Sequence, residues 1–462
     1  MLRAPIVGVS TKIIMVVVYA IVVVFLWAFV KHRIAIKPTG FVHPDWAKNA
    51  VIYEVNLRQY TPEGTFKAFQ QHLPRLKKMG VEIIWFMPIN PIGEKNRKGS
   101  LGSYYSVKDF LGINPELGTL EDFKNLVNEA HALGMKVIID WIANHTSWDN
   151  NLITEHPEWY QHDAEGNIKS PVADWTDAAG LDYSQPGLRE YMTNALIYWI
   201  KEADIDGYRC DVAGMVPVNF WNEAVPKIRK VKKIFMLAEW ETPEMHEVAF
   251  DATYSFEFYH LMNAISRGEK NAADIDPLWE KEAEDYPLDA FRLRFTSNHD
   301  ENSWSGSEVE RMGHAAQTFA VLTFCVPGIP LIYSGQESAL NQRLKFFDKD
   351  LIKWDGYKLQ DFYTTLINLK KRNIALWNGA AGGQMTKVTT NDNKSVYAFT
   401  RIRGSNKLFA IFNLTPHARE VSFVTRNFYG SYTNVFTNQP VSLTEGSKLT
   451  MKPWEYLVLE RR

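Results

Sequence analysis

Apolar and polar positions follow two different rhythms along this chain, and the change of rhythm divides it. From Val51 onward, short apolar runs are separated by stretches with apolar residues at helical spacing. The runs Val51–Val55, Glu82–Met87, Lys136–Asp140, Gly207–Asp211, Ile234–Ala238, Asp251–Ser255, Arg292–Ser297 and Pro330–Ser334 read as strands. Helical periodicity marks Phe66–Met79 (closed by Gly80), Leu120–Leu133, Leu188–Lys201, a segment between the last two strands, and Leu359–Lys371. Eight strands alternating with helices predict an α/β fold, a (β/α)8 TIM barrel over residues 49–375. One connection, after the third strand, is too long for an ordinary loop. Residues 146–183 are polar and rich in Trp, Asp, Asn and Gly, and predict an inserted subdomain over the strand ends. Within it, residues 163–167 read as a hairpin turn in preference to a cation loop. After residue 375 strand-like runs recur at short spacing: Ser395–Arg401, Lys407–Leu414, Glu420–Val424, Tyr432–Phe436 and Trp454–Leu459. Residues 376–462 therefore predict a C-terminal all-β sandwich, with no catalytic constellation of its own.

A different pattern precedes the barrel. Ile13–Val30 is an unbroken apolar run, and as a helix it would extend about 27 Å, the thickness of a bilayer core. It exceeds the usual signal-peptide core and no small-x-small site follows it. The expectation is an uncleaved transmembrane helix in an anchor over residues 1–33, joined to the barrel by residues 34–48. A cleaved signal is the alternative. Basic residues on both sides of the run leave its orientation open.

Composition changes the picture little. A net charge of -2 gives no reason to expect a nucleic-acid partner. The two cysteines, Cys210 and Cys325, exclude a disulfide framework and show no metal-ligand spacing. Cys210 alternates with Arg209 and Asp211 on its strand and reads as a packing thiol. Most of the many aromatic rings fill a large core.

The candidate chemistry lies at strand ends, where barrels of this kind carry catalytic groups. Asp211, Glu239 and Asp300 each close a short apolar run. Arg209 shares a strand face with Asp211, so its guanidinium is expected to lower that carboxyl's pKa and keep it ionised. The apolar Phe-Met-Leu-Ala flank is expected to raise the pKa of Glu239. Carboxyl groups of unequal ionisation are what acid–base and nucleophilic work requires.

Four segments then line up. DWIANH (Asp140–His145), GYRCD (Gly207–Asp211), Glu239 at a strand end and NHD (Asn298–Asp300) resemble, in order, the signature regions of the α-amylase family, glycoside hydrolase family 13. Gly80–Pro88, Tyr104–Phe123 and Gly328–Glu337 extend the resemblance across roughly residues 45–460. It implies Asp211 as nucleophile, Glu239 as general acid and base, and Asp300 as the third carboxylate that orients sugar hydroxyls. It implies substrate-binding roles for His145, His299, Tyr105 (as a stacking ring) and Arg209. Asp140 is implied to orient Arg209. Trp148, Trp175 and Trp304 stand equally between further subsites and packing. Asn144 matches a calcium-linked asparagine, yet the short insert offers few other oxygen ligands; no cofactor is required. Gly214 and Met215 depart from the pattern, since many members carry Lys-His there.

The implied activity is a retaining α-glycosidase acting on α-1,4 bonds of starch-like glucans or maltooligosaccharides through a covalent glycosyl–enzyme intermediate. A transglycosylase or glucoside isomerase would use the same intermediate. A non-catalytic membrane-anchored partner subunit is the remote third reading, against which the complete residue set argues. An external polymer substrate places the body outside the cytoplasmic membrane, in the periplasm or at the cell surface, or secreted if the signal is cleaved. Oligomeric state stays open.

Overall fold

The computed structural model describes residues 39–462. The segment Ile13–Val30, expected to form a membrane helix, lies outside the described residues. Among the described residues no helix is long and apolar enough to cross a membrane.

Eight parallel strands close into a barrel: β1 (Ile52–Val55), β2 (Ile83–Phe86), β3 (Lys136–Trp141), β4 (Gly207–Cys210), β5 (Phe235–Ala238), β6 (Ala252–Tyr254), β7 (Phe291–Arg294) and β8 (Ile329–Tyr333). Each strand pairs with its neighbours in the chain, and β8 returns to β1 with Ile52 opposite Leu331. The strands are buried on both faces, which explains their continuous apolar runs. Ile52, Ile83, Ile138, Phe235 and Leu237 pack inside the barrel. Ala47 and Ala50 pack into the same cluster from just before β1.

The helices expected from spacing are present with one correction, and three that the spacing did not locate, Val218–Arg229, Phe256–Ser266 and Ile275–Asp285, lie between later strands. The stretch Phe66–Met79 is not one helix but two, Phe66–Gln70 and Leu73–Met79. Pro74 has no N–H to continue the ladder and is tolerated only in a first turn, so the helix restarts around it. Gly80 ends the second helix with φ 104°. Leu120–Ala132 begins with a reciprocal cap between Thr119 and Asp122.

The insert is tied across its base by a two-stranded ladder, His145 opposite Gly180 and Thr146 opposite Ala179. Residues 163–167 form the expected turn: Asp163 Oδ1 accepts from the backbone N–H of Asn167 at 2.8 Å, and His162 bridges to Ile168. The C-terminal region forms a six-stranded antiparallel sheet and a two-stranded ribbon, Arg419–Ser422 with Lys448–Met451. Val421 and Met451 of the ribbon share a core with Val396 and Phe409 of the sheet. Three of these strands, Gln384–Lys387, Pro440–Leu443 and Lys448–Met451, escape the sequence pattern because they are largely exposed and polar. Arg401 joins this region to the barrel, its buried Nη1 donating to the carbonyls of Cys325 (3.2 Å) and Val326 (2.9 Å).

Barrel closure leaves no room at Gly207. A Cβ there would lie 1.9 Å from the carbonyl oxygen of Phe235 on the adjacent strand, at φ +151°. Gly207→Ala is expected to cost at least about 4 kcal/mol, the range of severe core disruption. Gly166→Ala, with nothing within 4 Å of the added carbon, is expected to cost only about 1 kcal/mol for its left-handed backbone. Thermal melts of the two variants check this, and equal losses would contradict it.

Candidate active site

The site is built around one side chain. Arg209 on β4 is fully buried, and its guanidinium lies among three carboxylates. Nη1 donates to Asp140 Oδ1 at 2.9 Å and to Asp211 Oδ1 at 3.0 Å. Nη2 lies 2.7 Å from Glu239 Oε1, an ion pair too far off line to count as a hydrogen bond. Trp85, Tyr105 and Tyr254 surround the cation with ring centroids 5.1–5.7 Å away. Adjacent strands β3, β4 and β5 thus deliver Asp140, Asp211 and Glu239 to one point. A buried cation requires such partners, because leaving water unpaired would be prohibitive.

The turn after β4 holds Glu239. Val212 adopts φ 36°, ψ 48°, a left-handed conformation that is an outlier for a β-branched residue. Its N–H donates to Glu239 Oε2 at 2.8 Å. Strain of this kind costs roughly 1–3 kcal/mol and persists where surrounding contacts enforce it.

Asp300 follows β7 and is the most open of the three strand-end carboxylates, with 38% of its side chain exposed. His299 Nε2 lies 3.2 Å from Asp300 Oδ2 and 2.6 Å from the Tyr105 hydroxyl. The Tyr105 hydroxyl donates to Asp140 Oδ2 at 3.1 Å. On its other side His299 Nδ1 reaches Glu54 Oε1 at 2.5 Å. A continuous chain of polar contacts therefore runs from Glu54 through His299, Tyr105 and Asp140 to Arg209. Glu54 was not anticipated from the sequence, although a lone carboxylate within the buried strand β1 was its signal.

These contacts make the carboxyl groups unequal. Burial pushes Glu239 up to about 8; Arg209 opposes this, and the charges of Asp211 and Asp300 add to it. Burial also raises Asp211, to about 6, against the pull of Arg209 and with the help of Asp140 and Asp300. This corrects the expectation that Arg209 would lower it: desolvation and two neighbouring carboxylates outweigh one guanidinium. Asp300 is held below its ordinary value: burial works upward, but the charge and hydrogen bond of His299 prevail. His299 is raised well above the usual imidazole range: burial works downward, and Asp300 and Glu54 outweigh it. His145 goes the other way, lowered to about 4 by burial, and is therefore neutral near pH 7.

The remaining candidates line the surroundings. His145 is buried and its ring tilts against Trp175 at 5.3 Å. Tyr105 stacks on His299 and lies nearly parallel to Phe346. Trp304 stands 56% exposed beside Phe346, in a π-helical turn (Glu301–Ser305) that starts at Asp300. Trp148 donates its indole N–H to the Thr176 carbonyl at 2.9 Å within the insert. Asn144 donates to His145 Nδ1 at 3.3 Å. Among the described residues no group of three or more His, Cys, Asp or Glu is placed to hold a metal. Cys210 and Cys325 are buried free thiols.

Residues 36–421 match the family model described as the alpha amylase catalytic domain. The chain is 27% identical over 351 residues to alpha-amylase MalA of Haloarcula japonica, covering 72% of this chain and 50% of that protein. It is 25% identical over 458 residues to alpha-amylase 2 of Dictyoglomus thermophilum, covering 87% of this chain and 76% of that one. Among solved structures, an alpha-amylase from Lactobacillus plantarum superposes with TM-score 0.80 at 34% identity over 90% of this chain and 99% of the other. The maltogenic alpha-amylase AmyB of Thermotoga neapolitana gives 0.82 and 31% at the same coverages. The carboxylates gathered around Arg209 thus sit in a barrel whose family is shown: the chain belongs to the α-amylase family of glycoside hydrolases.

Proposed function

We propose that this protein hydrolyses α-1,4-glucosidic bonds of starch-like glucans or maltooligosaccharides with retention of anomeric configuration. The carrying observation is the convergence of Asp211 and Glu239 on opposite arms of one guanidinium, with ionisation near 6 and near 8. Near neutral pH Asp211 is then mostly ionised and Glu239 mostly protonated. The Asp211 carboxylate attacks the anomeric carbon while Glu239 gives its proton to the departing glycosidic oxygen. Glu239, now a base, takes a proton from water, which displaces Asp211 from the sugar. Asp300 and the neighbouring His299 bind hydroxyls of the attacked ring, and Tyr105 lies under it. Asp140 and Glu54 position Arg209 and His299 from below. The relatives named alpha-amylase and maltogenic alpha-amylase support the α-glucan substrate.

Transfer to a sugar acceptor would use the same intermediate. We favour water as acceptor; chromatography of maltoheptaose digests is expected to show only shorter sugars, and longer ones would favour transfer. The apolar run of residues 13–30 is proposed, from its sequence, as an uncleaved anchor holding the enzyme outside the cytoplasmic membrane. Alkaline carbonate washing is expected to leave the full-length protein in the membrane pellet. Release into the wash, or a mature chain starting beyond residue 30, would overturn the anchor.

The ionisation order gives a pH profile with assigned limbs. Activity should fall as pH drops through about 6, where Asp211 takes up a proton, and as pH rises through about 8, where Glu239 loses one. Asp211→Asn and Glu239→Gln are each expected to lower kcat by about 10³-fold or more on maltooligosaccharides. With a fluoride leaving group, which needs no proton, Glu239→Gln should recover much of the first step and lose the alkaline limb. An alkaline limb that survives this substitution would assign the acid elsewhere.

A further inference from the structure

The turn that follows Asp211 carries more than the acid's hydrogen bond. Its residues face the site in sequence: Asp211 against Arg209, Val212 N–H on Glu239 Oε2, and then Gly214. Gly214 lies in the short 3-10 turn Ala213–Met215 and has no left-handed backbone to explain it. What explains it is contact. A Cβ at Gly214 would lie 2.0 Å from Cε2, 2.2 Å from Cδ2 and 2.2 Å from Nε1 of Trp240. Near-equal distances to three atoms of the five-membered ring put that carbon over the ring's face. The indole of Trp240 therefore rests on the glycine backbone, and only a residue without a side chain lets it do so.

Trp240 immediately follows Glu239, and both contact this one turn, the carboxyl at Val212 and the ring at Gly214. The ring packs against the core on part of its surface and remains partly exposed. Its backbone is fixed by β6, the Tyr254 N–H donating to the Trp240 carbonyl at 3.1 Å. Met215, next in the turn, is 37% exposed. In the proposed reaction Glu239 protonates the glycosidic oxygen, and the indole is the next group beyond it in the chain and at the turn.

We infer that Trp240, seated on Gly214, is the apolar platform for the sugar on the leaving-group side of the cleaved bond, and so a determinant of leaving-group and acceptor specificity. The inference rests on the α-glucosidase reading above. A flat ring held against backbone offers its free face to the apolar face of a pyranose, with little side-chain entropy to lose on binding.

The test compares two substrates on the full chain: maltotetraose, whose leaving group is a sugar, and α-maltosyl fluoride, whose leaving group is not. Trp240→Ala is expected to lower kcat/KM for maltotetraose about tenfold more than for the fluoride, the scale of one lost ring contact. Trp240→Phe, which keeps a flat ring, should lie between the two. Gly214→Ala, which must push the indole aside, should reproduce the selective loss with Trp240 intact. Should Trp240→Ala fail to fold, Gly214→Ala and Trp240→Phe decide the matter by the same ratio. Equal losses on both substrates, or none, would overturn the inference while leaving the glucosidase reading standing. A wild-type protein that turns over neither substrate would overturn that reading, and the inference with it.

Discussion

A single buried cation sets the terms for the whole site. Arg209 has no exposure, and its guanidinium has to be satisfied by what three neighbouring strands present. The local charge balance then follows. Arg209, ringed by Trp85, Tyr105 and Tyr254, and a protonated His299 face Asp140, Asp211, Glu239, Asp300 and Glu54. Burial and mutual repulsion raise Asp140, Asp211 and Glu239 together, so the three resist being ionised at once. A proton has to reside on one of them, and Glu239, whose level is raised furthest among Asp140, Asp211 and Glu239, is where it resides. The acid of the proposed mechanism is thus produced by the burial of Glu239 itself and by the charges of Asp211 and Asp300, against the pull of Arg209, and Asp211 loses its proton before Glu239 does.

The turn after β4 is the second element on which this depends. A left-handed valine is costly, and here its N–H is aimed at the carboxyl of Glu239. Two residues later the same turn narrows to Gly214 and receives the Trp240 ring. One short strained segment therefore spaces Asp211, Glu239 and the Trp240 ring relative to each other. It also explains why Gly214 departs from the lysine common in the family: the space that a lysine side chain would enter is filled by indole.

Much of this was legible in the sequence because barrel strands are buried on both faces and read as continuous apolar runs. Strand ends then locate Asp211, Glu239 and Asp300, and the alternation of side chains pairs Arg209 with Asp211. Three kinds of feature were not legible. Proline chemistry at Pro74 split a helix whose apolar spacing looked continuous. Polar, half-exposed strands such as Lys448–Met451 carry no alternation strong enough to notice. Balances between opposing effects were misjudged at Asp211, where the number of neighbouring carboxylates depends on which strands meet. Glu54 and Trp240 belong with the last group, since their partners His299 and Gly214 are 245 and 26 positions away and only barrel closure and the turn bring them together.

The central claim is that Asp211 forms the covalent bond to sugar. The direct measurement is trapping with a 5-fluoro-α-glycosyl fluoride, followed by peptide mapping in a mass spectrometer. One glycosyl adduct on the peptide containing Asp211 is the predicted result. An adduct on Glu239 or Asp300, or steady turnover of the reagent by inversion with no adduct, would contradict it.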